Sequence, residues 1–261
     1  PAFEMRWVGN DAWALRNGSN KRNMKNASGP NEAIGGFAFG PGIYHTQDHF
    51  LDTGRNIGGN SEWFALVDGE RKEMKENGRN VTKLCTTNVN MAAKYVGNVK
   101  RYVAKHAEIV SISPTDMGGY CECDICRAED ETPASNDELG PYRKMSRRML
   151  RFYNRVADGV RAESAYANTA LAVGAYERYV APPRDPNEGL RDNMDVILSR
   201  FKPSCYAHTI NDAGCAANGK FRAIMKEWTN HNAAGFFMYE YYWKQLWLGL
   251  PWPATGVIAS D

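Results

Sequence analysis

Short apolar runs alternate along the chain with longer amphipathic stretches, and most of the runs end in polar or aromatic residues. The runs are "AFEMRWV", "GGFAFGPGIYHTQDHF", "AEIVSISPTD", "LAVGAYERY", "MDVILSRF" and "AAGFFMYEYYW". Nearly continuous apolar runs of this length are typical of parallel strands that are covered on both faces. The pattern therefore predicts several buried strands, each with polar groups at its end.

Amphipathic helices are predicted between these runs, because apolar residues recur there at spacings of three and four. The apolar positions are Met91, Tyr95, Val99, Tyr102 and Val103 in one stretch, and Met145, Met149, Phe152, Val156 and Val160 in another. A third, shorter helix is predicted in "FRAIMKEWTNH". Strands that alternate with helices of this length form βαβ units and a parallel sheet.

The fold class predicted from this order is α/β, a (β/α)8 barrel of the TIM type. No glycine-rich phosphate loop follows any of the runs, which argues against a nucleotide-binding doubly wound sheet. The length of 261 residues suits one large domain. Because the chain begins at Pro1 inside a strand-like run, we expect it to be a piece of a longer protein and the barrel to be incomplete.

The charge and the hydropathy exclude some partners. A net charge of +2 gives no argument for binding to nucleic acid or to an anionic membrane surface. No apolar run approaches the roughly 20 residues that span a bilayer. We therefore expect no nucleic acid partner and no membrane insertion, and the sequence leaves the oligomeric state open.

In barrels of this type, chemistry takes place at the carboxyl ends of the strands. Acids, histidines and aromatic residues are predicted to meet there, and such a set suits a carbohydrate. Aromatic rings can stack on the apolar face of a sugar, and two carboxylates can act on a glycosidic bond as acid and base or as acid and nucleophile. The predicted substrate-binding residues are Arg6, Trp7, His45, Asn88, Tyr176, Glu177, His208, Tyr239, Tyr241 and Trp243.

Several motifs together resemble the family of domain of unknown function 4838. They are "HTQDHF", "SEWFALVDGERK", "LCTTNV", "SPTDMGGYCECDIC", "FYNRVADGV", "AYERYVAPP" and "YEYYWKQLWLGLPWP". Members of this family are mostly bacterial, are predicted to be exported and look distantly like the barrels of α-glucuronidases and β-hexosaminidases. The resemblance implies one glycosidase-like barrel over residues 1–261 that stops before its last strand, in an extracellular or periplasmic protein that hydrolyses glycosides. It does not supply a sugar or a linkage.

The same resemblance suggests catalytic residues. If "EIVSISPTD" is the fourth barrel strand and "GFFMYEYY" the seventh, Asp116 becomes the acid/base and Glu240 the nucleophile or general base, with Glu177 in reserve. A retaining, an inverting and a substrate-assisted reaction all stay open. So do the structural alternatives, in which Asp116 is a turn residue and Glu240 is paired with an arginine. A non-catalytic carbohydrate-binding barrel and a cysteine-stapled protein-interaction module are the rival functions.

The cysteines form a separate group. Cys121, Cys123 and Cys126 make a C-x-C-x-x-C motif, and Cys85 in "LCTTN" is expected to lie near them. Four thiolates can bind one tetrahedral Zn²⁺ at about 2.3 Å from each sulfur, whereas in an exported protein the same residues could form two disulfides. Cys205 and Cys215 could form a third disulfide or stay free. A closed all-cysteine site has no open position for a substrate, so we expect a structural zinc at most and no cofactor for catalysis.

Overall fold

Seven strands and seven α-helices are found in the part of the chain described by a computed structural model, which covers residues 39–106, 109–116, 119–241 and 257. The strands are β1 (Phe39–Gly40), β2 (Lys75–Glu76), β3 (Arg79–Asn80), β4 (Ile109–Ser111), β5 (Leu171–Ala175), β6 (Met194–Ser199) and β7 (Phe236–Tyr239). The helices are α1 (Gln47–Phe50), α2 (Thr53–Asn56), α3 (Val89–Val103), α4 (Asp124–Ala128), α5 (Gly140–Arg143), α6 (Ser146–Arg161) and α7 (Ala216–Trp228).

Five of the strands form one parallel sheet in the order β1-β4-β5-β6-β7, curled into half of a barrel. The prediction of an α/β fold with a parallel sheet is confirmed, and the sheet is consistent with a partial (β/α) barrel. The strands in "AEIVSISPTD", "LAVGAYERY", "MDVILSRF" and "AAGFFMYEYYW" are β4, β5, β6 and β7, and they are consecutive neighbours in this sheet. The predicted strand in "AFEMRWV" lies outside the described residues. The strands β2 and β3 form a separate antiparallel hairpin around a tight turn at Asn77 and Gly78, both with positive φ.

Two of the inner strands, β5 and β6, are buried at every position, as their apolar sequences predict. All residues of β5 and β6 are buried. On one face, Leu171 and Val173 join the main core with the helices, while Ala172 and Ile197 belong to a smaller apolar cluster on the other face. A strand that is covered on both faces leaves only its end exposed to solvent, so the polar side chains of this region concentrate at the strand ends.

Helices α3 and α6 pack on each other and on the main core through the predicted apolar residues. Nine of the ten predicted positions are buried, and Val103 is half-buried at the end of α3. The two helices approach closely at Gly159, where an added Cβ atom would lie 2.8 Å from a methyl group of Val96. The absence of a side chain at Gly159 therefore allows the helices to approach this closely.

Helix α7 begins at Ala216, five residues before the predicted "FRAIMKEWTNH". Its inward face is extended at the N-terminus by Asn218, a buried polar residue that a search for apolar periodicity does not register. Near the other end, the indole Nε1 of Trp228 donates a hydrogen bond of 2.8 Å to the carbonyl of Val180 and so ties the helix to the loop after β5. None of the described helices is long and apolar enough to cross a bilayer.

Candidate active site and cysteine clusters

A cleft lies at the carboxyl ends of the parallel strands. It encloses about 410 Å³ between protein atoms, part of which is open to solvent. The loops that follow β1, β4 and β5 supply most of its lining, as expected where parallel strands end at one edge. The lining residues are Tyr44, His45, Lys83, Pro114, Thr115, Asp116, Tyr120, Tyr176, Glu177 and Tyr179.

His45 and Asp116 face each other at the mouth of the cleft. The Nε2 atom of His45 lies 3.9 Å from a carboxylate oxygen of Asp116, and each side chain is about half exposed, at 49% and 48%. Burial lowers the pKa of His45, although the charge of Asp116 opposes this shift. His45 also has a φ of 59°, in the left-handed region that non-glycine residues rarely adopt. The sequence analysis predicted both residues at the carboxyl ends of strands, where they are found after β1 and β4; their functional roles stay predictions.

Lys83 forms a buried wall of the cleft, and the sequence analysis did not identify it. Its side chain is 4% exposed, donates a hydrogen bond to the carbonyl of Thr115 and lies 4.7 Å from the ring centre of Tyr120. Burial lowers the pKa of Lys83 to about 8, while the charges of Asp116 and Glu177 act to raise it. The available signal was a single lysine between Val81 and Leu84 in the run "VTKLC".

Glu177 enters the same cleft from the end of β5. It begins a 3₁₀ turn, Glu177–Tyr179, and its φ is 45°. Backbone strain of this kind costs of order 1–3 kcal/mol and is concentrated at functional sites in proteins. The structure thus brings Asp116, Glu177 and Lys83 together around one cleft, with the lysine close enough to each carboxylate for its pKa to respond to both.

Glu240 follows β7 and has other immediate partners. One carboxylate oxygen lies 3.5 Å from Nη1 of Arg200, whose side chain is fully buried, and the other lies 2.8 Å from the hydroxyl of Tyr206. The backbone N–H of Tyr241 donates to the same hydroxyl at 2.9 Å. Glu240 therefore has the arginine partner that the sequence analysis left open, and this partner is Arg200. The catalytic role of Glu240 stays a prediction.

A continuous set of aromatic rings connects the cleft to the end of β7, where Glu240 lies. The ring of Tyr44 contacts that of Tyr239 at 5.1 Å between centres, and Tyr239 contacts Tyr241 at the same distance. Phe201 then lies 5.3 Å from Tyr241 and 5.6 Å from Tyr176, which lines the cleft. These five residues join the carboxyl ends of β5, β6 and β7 to the loop after β1.

The remaining predicted substrate-binding residues lie elsewhere or outside the described residues. Asn88 caps helix α3: its side chain accepts a hydrogen bond of 2.9 Å from the backbone N–H of Met91. His208 lies next to Cys205, with 3.3 Å between Nδ1 and Sγ. Arg6, Trp7 and Trp243 lie outside the described residues.

The cysteines around the C-x-C-x-x-C motif meet in one cluster, as predicted. The sulfur atoms of Cys85, Cys121, Cys123 and Cys126 all lie within 4.8 Å of one another. Cys85 is 3.8 Å from both Cys123 and Cys126, far longer than a disulfide of about 2.05 Å. Four sulfurs at about 2.3 Å from a tetrahedral zinc ion would be separated by about 3.8 Å, so the observed spacing fits a zinc ion.

Polar groups around this cluster suit thiolate ligands. The backbone N–H of Leu66 lies 3.3 Å from the sulfur of Cys121, and a guanidinium nitrogen of Arg71 lies 3.8 Å from it. Hydrogen bonds within the cluster lower the pKa of Cys126 and raise the pKa values of Cys85 and Cys121, so the thiolate is favoured at Cys126. The cluster could bind a structural metal such as zinc, and so could the group of Cys205, His208 and Cys215.

The comparison with known proteins gives a family and no described activity. No curated protein matches the chain, and no solved structure does. The motifs that carry the resemblance, from "HTQDHF" to "YEYYWKQLWLGLPWP", all fall inside the match to one family. That family is described as Domain of unknown function (DUF4838), it matches residues 1–261, and the chain therefore belongs to it.

Proposed function

We propose that this protein is a glycoside hydrolase that acts in the cleft at the carboxyl ends of the parallel strands, and that the half-barrel belongs to a (β/α)8 barrel. The observation that carries the proposal is the meeting of Asp116, Glu177 and buried Lys83 in one tyrosine-walled cleft. In α/β barrels, catalytic groups come from the ends of several different strands, as Asp116 and Glu177 do after β4 and β5, while Lys83 follows the β2–β3 hairpin.

The lining of the cleft supports a carbohydrate. The cleft is lined by four tyrosines, two carboxylates, a histidine and a lysine. The rings of Tyr120, Tyr176 and Tyr179 offer flat apolar surfaces with polar edges, which match a sugar ring whose faces are apolar and whose hydroxyls point outward. The carboxylates accept hydrogen bonds from such hydroxyls, and the ammonium group of Lys83 donates them.

Asp116 is the proton donor to the leaving group in this proposal. Glu177 is the second carboxylate, because it lines the same cleft, whereas Glu240 is engaged by Arg200 and Tyr206. The buried ammonium group of Lys83 supplies a positive charge and hydrogen-bond donors on the wall of the same cleft.

A set of matched variants tests these roles. Turnover of a panel of aryl glycosides and polysaccharides by the full-length protein is expected to fall about 10²–10⁴-fold in Asp116→Asn, the usual contribution of a general acid or base. Glu177→Gln is expected to lose at least as much, and more than Glu240→Gln. Asp192→Asn removes an exposed carboxylate, 71% accessible, and serves as the control with unchanged turnover. Wild-type turnover that persists in Asp116→Asn would contradict the proposal, and a larger loss in Glu240→Gln would restore Glu240 as the second carboxylate.

The pairing of Glu240 with Arg200 favours a second candidate, a barrel that binds carbohydrate without cleaving it. In this alternative Glu240 forms a structural ion pair with the fully buried Arg200. Isothermal titration with oligosaccharides distinguishes the two functions. Sugar binding by the wild-type protein and by Asp116→Asn, with turnover in neither, would support the binding protein and contradict the hydrolase.

A further inference from the structure

A second group of metal-ligating side chains lies in the loop between β6 and α7. One ligand atom from each of Cys205, His208 and Cys215 lies within 4.8 Å of the others, and the sulfur of Cys205 is 3.3 Å from Nδ1 of His208. The three residues differ in exposure: Cys215 is buried, Cys205 is half-buried and His208 is exposed. The group therefore lies at the surface, with two sulfurs inward and the imidazole outward.

Asn218 holds the backbone of this loop from the first turn of α7. It is fully buried, and its side-chain oxygen accepts a hydrogen bond of 2.9 Å from the N–H of Cys205. Its side-chain nitrogen lies 3.0 Å from the carbonyl of Cys205, 3.1 Å from that of His208 and 2.9 Å from that of Thr209. Two of the three ligating residues are thus fixed by protein contacts alone, which reduces the ordering cost of binding an ion.

We propose that Cys205, His208 and Cys215 bind a divalent metal ion of the zinc class, independently of the four-cysteine cluster and with one exchangeable coordination position. Thiolate and imidazole are the ligands that zinc prefers, and zinc is usually four-coordinate. Three protein ligands therefore leave one position for water or an external ligand. The four-cysteine cluster has no such position, so the two sites differ in accessibility as well as in composition.

The proposed ion would also hold the loop that contacts Glu240. Tyr206 follows Cys205 and precedes His208 in the sequence, and its hydroxyl lies 2.8 Å from the Glu240 carboxylate. Arg200, the other partner of Glu240, directs its Nη2 atom to the carbonyl of Cys205 at 3.2 Å. A metal bound to Cys205 would therefore fix both groups that orient Glu240, whether that carboxylate is catalytic or structural.

A disulfide between Cys205 and Cys215 is the competing arrangement. It would use both sulfurs without His208, whereas the ion uses all three groups. The full-length protein, reduced and then loaded with Zn²⁺, is expected to hold two ions per chain by elemental analysis. His208→Ala and the double variant Cys205→Ser/Cys215→Ser are each expected to hold one. His106→Ala removes another exposed histidine and is expected to keep both.

A measurement on the wild-type protein alone covers the case in which a variant does not fold. A chromogenic chelator is expected to remove zinc in a fast phase from the exposed site and a slow phase from the buried cluster. Alkylation followed by mass spectrometry after the fast phase should modify Cys205 and Cys215 and spare Cys85, Cys121 and Cys126. A single ion per chain with no change in His208→Ala, a fast phase that uncovers neither cysteine, or a Cys205–Cys215 pair that needs reduction before alkylation would overturn the proposal.

Discussion

Replacing Lys83 by methionine removes a buried ammonium group from the wall of the cleft while keeping a flexible chain of similar length. Burial lowers the pKa of this lysine from 10.5 to about 8. Because each unit corresponds to about 1.4 kcal/mol, holding the charged form in the folded protein at pH 7 costs about 3 kcal/mol. The variant loses the hydrogen bond to the Thr115 carbonyl, worth about 1 kcal/mol. We expect Lys83→Met to raise the free energy of unfolding by about 2 kcal/mol at pH 7.

The stability difference between Lys83→Met and the wild-type protein should depend on pH. Between about pH 8 and pH 10.5 the unfolded chain keeps the proton on Lys83 and the folded protein has lost it, so the stability of the wild-type protein rises with pH in this range. Below about pH 8 Lys83 is charged in both the folded and the unfolded protein, so the full cost of burying its charge is present. The advantage of Lys83→Met should therefore be largest at neutral pH and should shrink as the pH rises towards 10.5.

Urea unfolding followed by tryptophan fluorescence at several pH values measures both effects. Lys94→Met removes an exposed lysine from α3 and provides the control for loss of a lysine charge without burial. A Lys83→Met variant that is less stable than the wild-type protein at pH 7, or a difference that stays constant up to pH 10.5, would refute the assignment of Lys83 as a costly buried cation.

Three further predictions concern the scaffold. Arg143→Ala removes the nearer cation from the nearly buried carboxylate of Asp137, 3.2 Å from the guanidinium, and leaves it only the exposed Arg184 at 4.0 Å; Glu227 loses its arginine as well, so the free energy of unfolding should fall by about 3–5 kcal/mol in chemical denaturation. Gly159→Ala should lower it by about 1–3 kcal/mol, since the new methyl group overlaps Val96 between α3 and α6; an unchanged midpoint would show that the helices can separate freely. Cys126→Ser should reduce the zinc held by the four-cysteine cluster and lower the melting temperature of the zinc-loaded protein towards that of the chelator-treated one, and equal melting temperatures with and without zinc would contradict a structural ion.

The elements of the fold could be predicted because their signals are local. Residues of β5 and β6 are buried on both faces, and such strands need apolar side chains at every position. Helices α3 and α6 each bury one side, so their apolar residues recur every three or four positions. The start of α7 was missed because its first inward residue is Asn218, whose burial depends on partners in a loop that local periodicity cannot detect.

The candidate site was predictable only in part. The positions of Asp116 and His45 at one cleft could be predicted because the ends of parallel strands meet at one edge of a sheet, whereas their roles stay predictions. Asn88 and His208 carry side chains of the expected chemistry, but one caps a helix and the other joins two cysteines. A residue type allows several roles, and the choice among them depends on neighbours that are distant in sequence.

By itself, the sequence determined the parallel α/β architecture, the family and the grouping of Cys121, Cys123 and Cys126, since each of these follows from local spacing or from motifs. The tertiary structure alone decided that Lys83 lies in a buried wall of the cleft that Asp116 and Glu177 also line, and that Glu240 faces Arg200. The physical reason is that electrostatic environment and burial depend on which chain segments fold next to each other, and no local pattern records those contacts.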